Sequence, residues 1–69
     1  MKEPPMTRYI GGLEYELFNG EYGPDGKGPH GAYDKYQAKE QAEIWKTTAE
    51  GMTRQIKIPG TEWYFIYVR

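Results

Sequence analysis

The sequence contains 0 Cys, which removes disulfides, thiolate zinc sites and iron–sulfur clusters at once. There is no serine anywhere in the chain, and His30 is its single histidine. Nucleophilic catalysis built on a Ser/His or Cys/His pair therefore has no nucleophile, and a histidine-based metal site has too few ligands. No apolar run approaches the roughly 18 residues of a membrane span, and the opening "MKEPPMTRYI" lacks the apolar stretch of a signal peptide. An excess of one charge is missing too. The 9 Lys+Arg against 10 Asp+Glu leave a formal net charge of −1, whereas a dedicated DNA-binding domain ordinarily carries a clear positive excess. These absences predict a cytoplasmic protein that is not an enzyme, holds no metal and no cofactor, and does not enter a membrane.

What is present is aromatic. The 69 residues include 7 Tyr, 2 Trp and 2 Phe. A chain of this length has room for one domain, and it buries only about 60% of the surface its unfolded form exposes. Large rings can supply much of so small a core.

Along the chain, residues 1–8 contain a Pro-Pro pair and are expected to form a flexible tail, with a single domain over 9–69. "LEYELF" alternates and predicts a strand over 13–18, with Leu13, Tyr15 and Leu17 on one face and Glu14, Glu16 and Phe18 on the other. Gly11-Gly12 before it reads as a bulge or a turn. Residues 19–31 are rich in Gly and Pro and form a long loop. "GAYDKY" after it has room for a short extended piece. A helix is predicted over 36–50. Asp34 and Gln37 have capping-box spacing, Ala38, Ala42, Trp45, Ala49 and Met52 recur at helical steps, and Gly51 reads as the stop. Lys39 with Glu43, and Lys46 with Glu50, have the spacing of i, i+4 ion pairs. Strands over 53–58 and 62–69 then flank "PGT", where Pro59-Gly60 suits a type II turn. The expected fold is α+β: a two-layer sandwich, β-loop-α-β-β, with one helix on a three-stranded, mostly antiparallel sheet.

Four patterns suggest chemistry, and each has a simpler explanation. "GPDGKG" sets Lys27 among glycines, but five residues separate Gly20 from Gly26 and no Ser or Thr follows Lys27, so the phosphate-loop pattern fails. "NGEYGPDG" offers Asn19, Glu21 and Asp25 to calcium, yet position 32, where a closing Glu belongs, is Ala. His30 has Asp25 and Asp34 as the carboxylates nearby in sequence, but the chain offers no Ser or Cys for a base to activate. Glu14 and Glu16 share a strand face about 7 Å apart, where Lys57 and Arg69 offer cross-strand charge pairing.

The remaining candidate is the last strand, "EWYFIYVR". Tyr64, Ile66 and Val68 are expected to meet the helix together with Leu13, Tyr15, Leu17, Ile56 and Ile58. Trp63, Phe65 and Tyr67 then point away, alongside Phe18, Lys57 and Arg69. Those six residues are the expected partner-binding set, because aromatics and Arg are enriched at interfaces. The function expected is a small binding or adaptor module that uses this outer face for protein interaction or for self-association as a homodimer. The alternative is single-stranded nucleic acid, with bases stacked on the rings. An RRM is not indicated, since its second helix and its RNP-like stretch are both missing. A third arrangement has the N-terminal tail or the 19–31 loop folded back over the same rings.

Overall fold

The computed structural model describes residues 3–19 and 22–69. The elements run β1 (Thr7–Ile10), β2 (Leu13–Leu17), a 3-10 turn (Pro29–Gly31), α1 (Lys35–Thr48), β3 (Thr53–Lys57) and β4 (Tyr64–Val68). One helix packs on one antiparallel sheet, as expected, but the sheet has four strands in the order β1-β2-β4-β3. The additional strand is β1, in which Thr7 and Arg8 pair with Glu16 and Tyr15. It forms because Gly11 and Gly12 have φ of +61° and +81°, the pair of positive values that a two-residue type I′ hairpin loop requires. Gly11-Gly12 is therefore the tip of a hairpin.

At the other hairpin the Thr61 amide donates to the Ile58 carbonyl at 3.1 Å. Gly60 lies at φ +75°, consistent with a type II turn that has Pro59 at its second position. Asp34 caps α1, its carboxylate accepting from the Gln37 amide at 2.7 Å. The i, i+4 ion pairs are replaced by a single i, i+3 contact among the described residues, Lys46 Nζ to Glu43 at 3.5 Å.

The end of α1 differs from the sequence reading. Its C-cap is Ala49, and the left-handed residue that follows is Glu50, at φ +51°, not Gly51. Gly51 is required for a different reason: a Cβ there would lie 2.2 Å from the Arg69 carbonyl oxygen and 2.3 Å from Trp45 Nε1. A left-handed non-glycine residue is strained by about 1–2 kcal/mol, part of which is offset by the greater unfolded-state freedom of glycine. Glu50→Gly is thus expected to stabilise the domain by roughly 0.5–1 kcal/mol. Thermal unfolding checks this; the melting temperature should rise by a few degrees.

Which strand faces meet the helix is decided by register. Glu16 pairs with Val68 and Leu17 with Tyr67, while Ile56 pairs with Phe65. Residues directly opposite one another share a face, so Tyr15, Leu17 and Ile56 lie on the side away from α1, not beneath it as expected. The helix-side core is instead Phe18, Tyr33, Ala38, Ile66 and Val68, with Trp45 and Tyr64 packed against it. Ala38 and Ala42 are the fully buried small residues of α1 and let the helix lie close to the sheet. Tyr33 extends the sheet beside β4, exchanging two backbone hydrogen bonds with Tyr64, each at 2.8 Å.

Candidate functional site

The outer sheet face carries a second apolar cluster, in which Tyr15, Leu17 and Tyr67 are buried and Ile10, Ile56 and Phe65 pack around them. Its cover is the segment just before β1. The Met6 carbonyl accepts from the Leu17 amide at 2.8 Å, continuing the β1–β2 ladder by one pair. The buried Tyr67 hydroxyl donates to the Pro5 carbonyl at 2.8 Å. Above its ring lies the Arg8 guanidinium, 5.4 Å from the centroid, a cation–π geometry. Burial pushes the Tyr67 pKa up, and Arg8 pulls it partly back, so at neutral pH this hydroxyl is a protonated donor.

Beside the segment runs a cleft of about 300 Å³. Phe65 and Tyr67 of β4 line it together with Glu3, Pro4, Pro5 and Arg8 on the N-terminal side. Ile56, Lys57, Ile58 and Pro59 of β3 and its turn complete the lining. The cleft is thus an apolar trough with the Arg8 guanidinium beside it and one neutral hydroxyl donor already engaged by a proline carbonyl. Next to it β3 is an edge strand. Met52 and Arg69 exchange backbone hydrogen bonds, and the Ile58 amide bonds the Trp63 carbonyl. The alternation of an antiparallel ladder then turns the peptide groups of Thr53, Gln55 and Lys57 toward the open edge.

The six residues expected to form one patch are divided among four places. Phe65 and Tyr67 meet at the cleft, although Tyr67 is 0% exposed and presents no free ring face. Lys57 also lines the cleft but is corrected to the α1 side of β3, because it pairs with Tyr64. Phe18 is corrected to the helix-side core, where its ring is edge-on to Trp45 at 6.1 Å and stacked on Tyr22 at 5.8 Å. It lies there because its amide bonds the Ile66 carbonyl, which sets its side chain beside Ile66. Trp63 is half-buried against the 3-10 turn; a Cβ on Gly28 would sit 2.5 Å from its ring. Arg69 donates to the Glu14 carbonyl at 3.4 Å. It lines a separate cavity of about 400 Å³ with Glu14, Glu16, Trp45 and Val68.

In that second cavity the two carboxylates are held by tyrosines. The Tyr9 hydroxyl donates to Glu14 at 2.9 Å and the Tyr22 hydroxyl to Glu16 at 2.8 Å. The bond to Glu14, with the carboxylate charge, holds the Tyr9 pKa up. Lys57 is not their cross-strand partner, because β4 lies between β2 and β3. Among the described residues no group of three or more His, Cys, Asp or Glu is placed to hold a metal ion. No helix among them is long and apolar enough to cross a membrane.

Sequence reasoning missed Arg8, Pro4, Pro5 and Pro59 as parts of the site. The signal was available in the two-residue Gly11-Gly12 spacer, which marks a hairpin and so brings the preceding Pro-Pro segment back onto the sheet. Set against family models, curated proteins and solved structures, the chain has no match.

Proposed function

We propose that this domain is a non-enzymatic protein-binding module whose outer sheet cleft takes an extended segment of a partner protein. The observation that carries this reading is the Tyr67 hydroxyl bonded to the Pro5 carbonyl, since it pairs a buried aromatic donor with a main-chain acceptor of an extended chain. Modules that recognise extended peptides work this way, with apolar troughs for side chains and fixed donors for backbone carbonyls. The open edge of β3 offers further main-chain partners beside the cleft. Single-stranded nucleic acid has less support, because Tyr67 is buried and Arg8 already occupies the space above its ring.

The test is selection from a random peptide library displayed on phage, using the immobilised full chain. Enriched peptides should bind the wild type and lose at least about tenfold in affinity for the Arg8→Glu, Lys57→Glu variant, a loss of roughly 1.4 kcal/mol. Both positions are exposed, and circular dichroism checks that the variant keeps the fold. No enrichment, or enriched peptides that bind the variant equally well, would sink the proposal.

A further inference from the structure

The geometry points to residues 3–6 as an internal ligand of the cleft, and to an acidic, diproline-containing segment of a partner as the ligand taken in trans. This rests on the peptide-binding reading and names the peptide's chemistry.

Three observations specify that chemistry. First, Glu3 and Pro4 each precede a proline, so both are biased toward extended backbone, and the proline rings fix their own φ. A segment that is already extended loses little entropy on docking. Second, besides the Met6 carbonyl that continues the β1–β2 ladder to Leu17, the segment reaches the outer-face cluster through the Pro5 carbonyl, which accepts from the Tyr67 hydroxyl at 2.8 Å. A proline carbonyl needs no amide beside it, which matches a site that supplies a donor there. Third, Glu3 of the segment lines the cleft together with Arg8, so an acidic side chain and a cation border the same trough.

The segment leaves the remainder of the cleft open toward β3. A longer peptide that takes over the Tyr67 bond runs on past Ile56 and Pro59 and buries more of the trough than the chain's own residues do. The internal segment is tethered directly to Thr7 and therefore competes at an effective concentration on the order of millimolar. The apparent affinity for an outside peptide is lowered by the fraction of time the segment is docked. The outer face is a peptide site partly closed by its own chain.

The probe is a synthetic hexapeptide with the sequence of residues 2–7, KEPPMT, followed by isothermal titration or by amide chemical shifts of Phe65 and Tyr67. The full chain is compared with a Pro4→Gly, Pro5→Gly variant, in which the internal segment is loosened. The variant should bind the peptide about tenfold more tightly than the wild type. Tyr67→Phe should abolish most of the binding while leaving the fold intact. A peptide with Gln in place of its Glu should bind several-fold more weakly. Equal affinity for wild type and diglycine variant overturns the internal-ligand assignment. Binding that ignores Tyr67→Phe, or no binding to either protein, overturns the ligand chemistry. Should phage selection still return cleft-dependent peptides of another pattern, the module stands and only this ligand class falls.

Discussion

Tyr33→Ala is expected to leave the domain largely unfolded in the absence of stabilising additives. Tyr33 is 1% exposed and stands between α1, the 23–32 loop and β4. Its ring meets Phe18 at a centroid distance of 6.1 Å, and its hydroxyl donates to the Pro24 carbonyl at 2.8 Å. Truncating a large buried ring to alanine costs about 3–5 kcal/mol. A domain of this length has about 3–10 kcal/mol to lose. Urea unfolding followed by far-UV circular dichroism would show a lost or strongly lowered midpoint; a drop below about 1 kcal/mol would mean that this ring is not central to the core.

The milder Tyr33→Phe variant isolates the hydroxyl. At neutral pH it should lose about 1 kcal/mol, the usual worth of one hydrogen bond. Its larger effect is on pH dependence. Burial, with Asp25 nearby, pushes the Tyr33 pKa from 10.0 up to about 12. The folded state therefore keeps its proton where the unfolded chain has lost it. That contribution is fully present below pH 10 and is lost as pH rises toward about 12, amounting to about 2–3 kcal/mol at the upper limit. Tyr67, shifted in the same direction, adds to the wild-type slope and remains in the variant. Stability of Tyr33→Phe should accordingly fall less steeply than that of the wild type across this alkaline window, and identical slopes would contradict the assignment.

Local signals carried most of the elements. The helix was readable from Asp34, Gln37 and the Ala38–Ala42–Trp45 spacing, and the last hairpin from Pro59-Gly60, because caps and turns are decided by neighbours in sequence. Which face of β2 meets the helix was not readable. Alternation sorts Leu13, Tyr15 and Leu17 from Glu14, Glu16 and Phe18, and the more apolar set goes inward when only one face is covered. Here both faces are covered, one by α1 and one by residues 3–6, so apolarity no longer chooses. The pairing of Leu17 with Tyr67 decides instead, and that is a contact across fifty positions of sequence. β1 was hidden for a related reason. Its residues, Thr7 to Ile10, are exposed or half-exposed and show little apolar pattern, so its only sequence mark is the two-residue glycine spacer that follows. The cleft inherits both omissions, since one of its sides is the chain leading into β1.

Gly26→Ala is the second substitution expected to have a large effect, and it bears on what the glycine-rich loop is for. A Cβ at Gly26 would lie 1.9 Å from the Ala32 carbonyl oxygen and 2.6 Å from that of Gly31. Those atoms are backbone, held by the Gly26 amide bonding the Gly31 carbonyl at 3.1 Å and the Gly28 amide bonding the Ala32 carbonyl at 2.9 Å. Ala32 is itself buried, and the next residue is Tyr33, pinned to β4. The loop cannot open by an ångström at Gly26 without moving the centre of the core. Overpacking of this kind costs about 1–3 kcal/mol, and the backbone contact places Gly26→Ala near the upper end. Lys27→Ala, one residue on and exposed, should change stability by no more than about 0.5 kcal/mol. Equilibrium unfolding of the two variants side by side separates the roles. A large loss at Gly26 with none at Lys27 fits glycines that serve close backbone packing beneath Trp63 and Tyr33, whereas the reverse order would return the loop to consideration as a site built around its lysine.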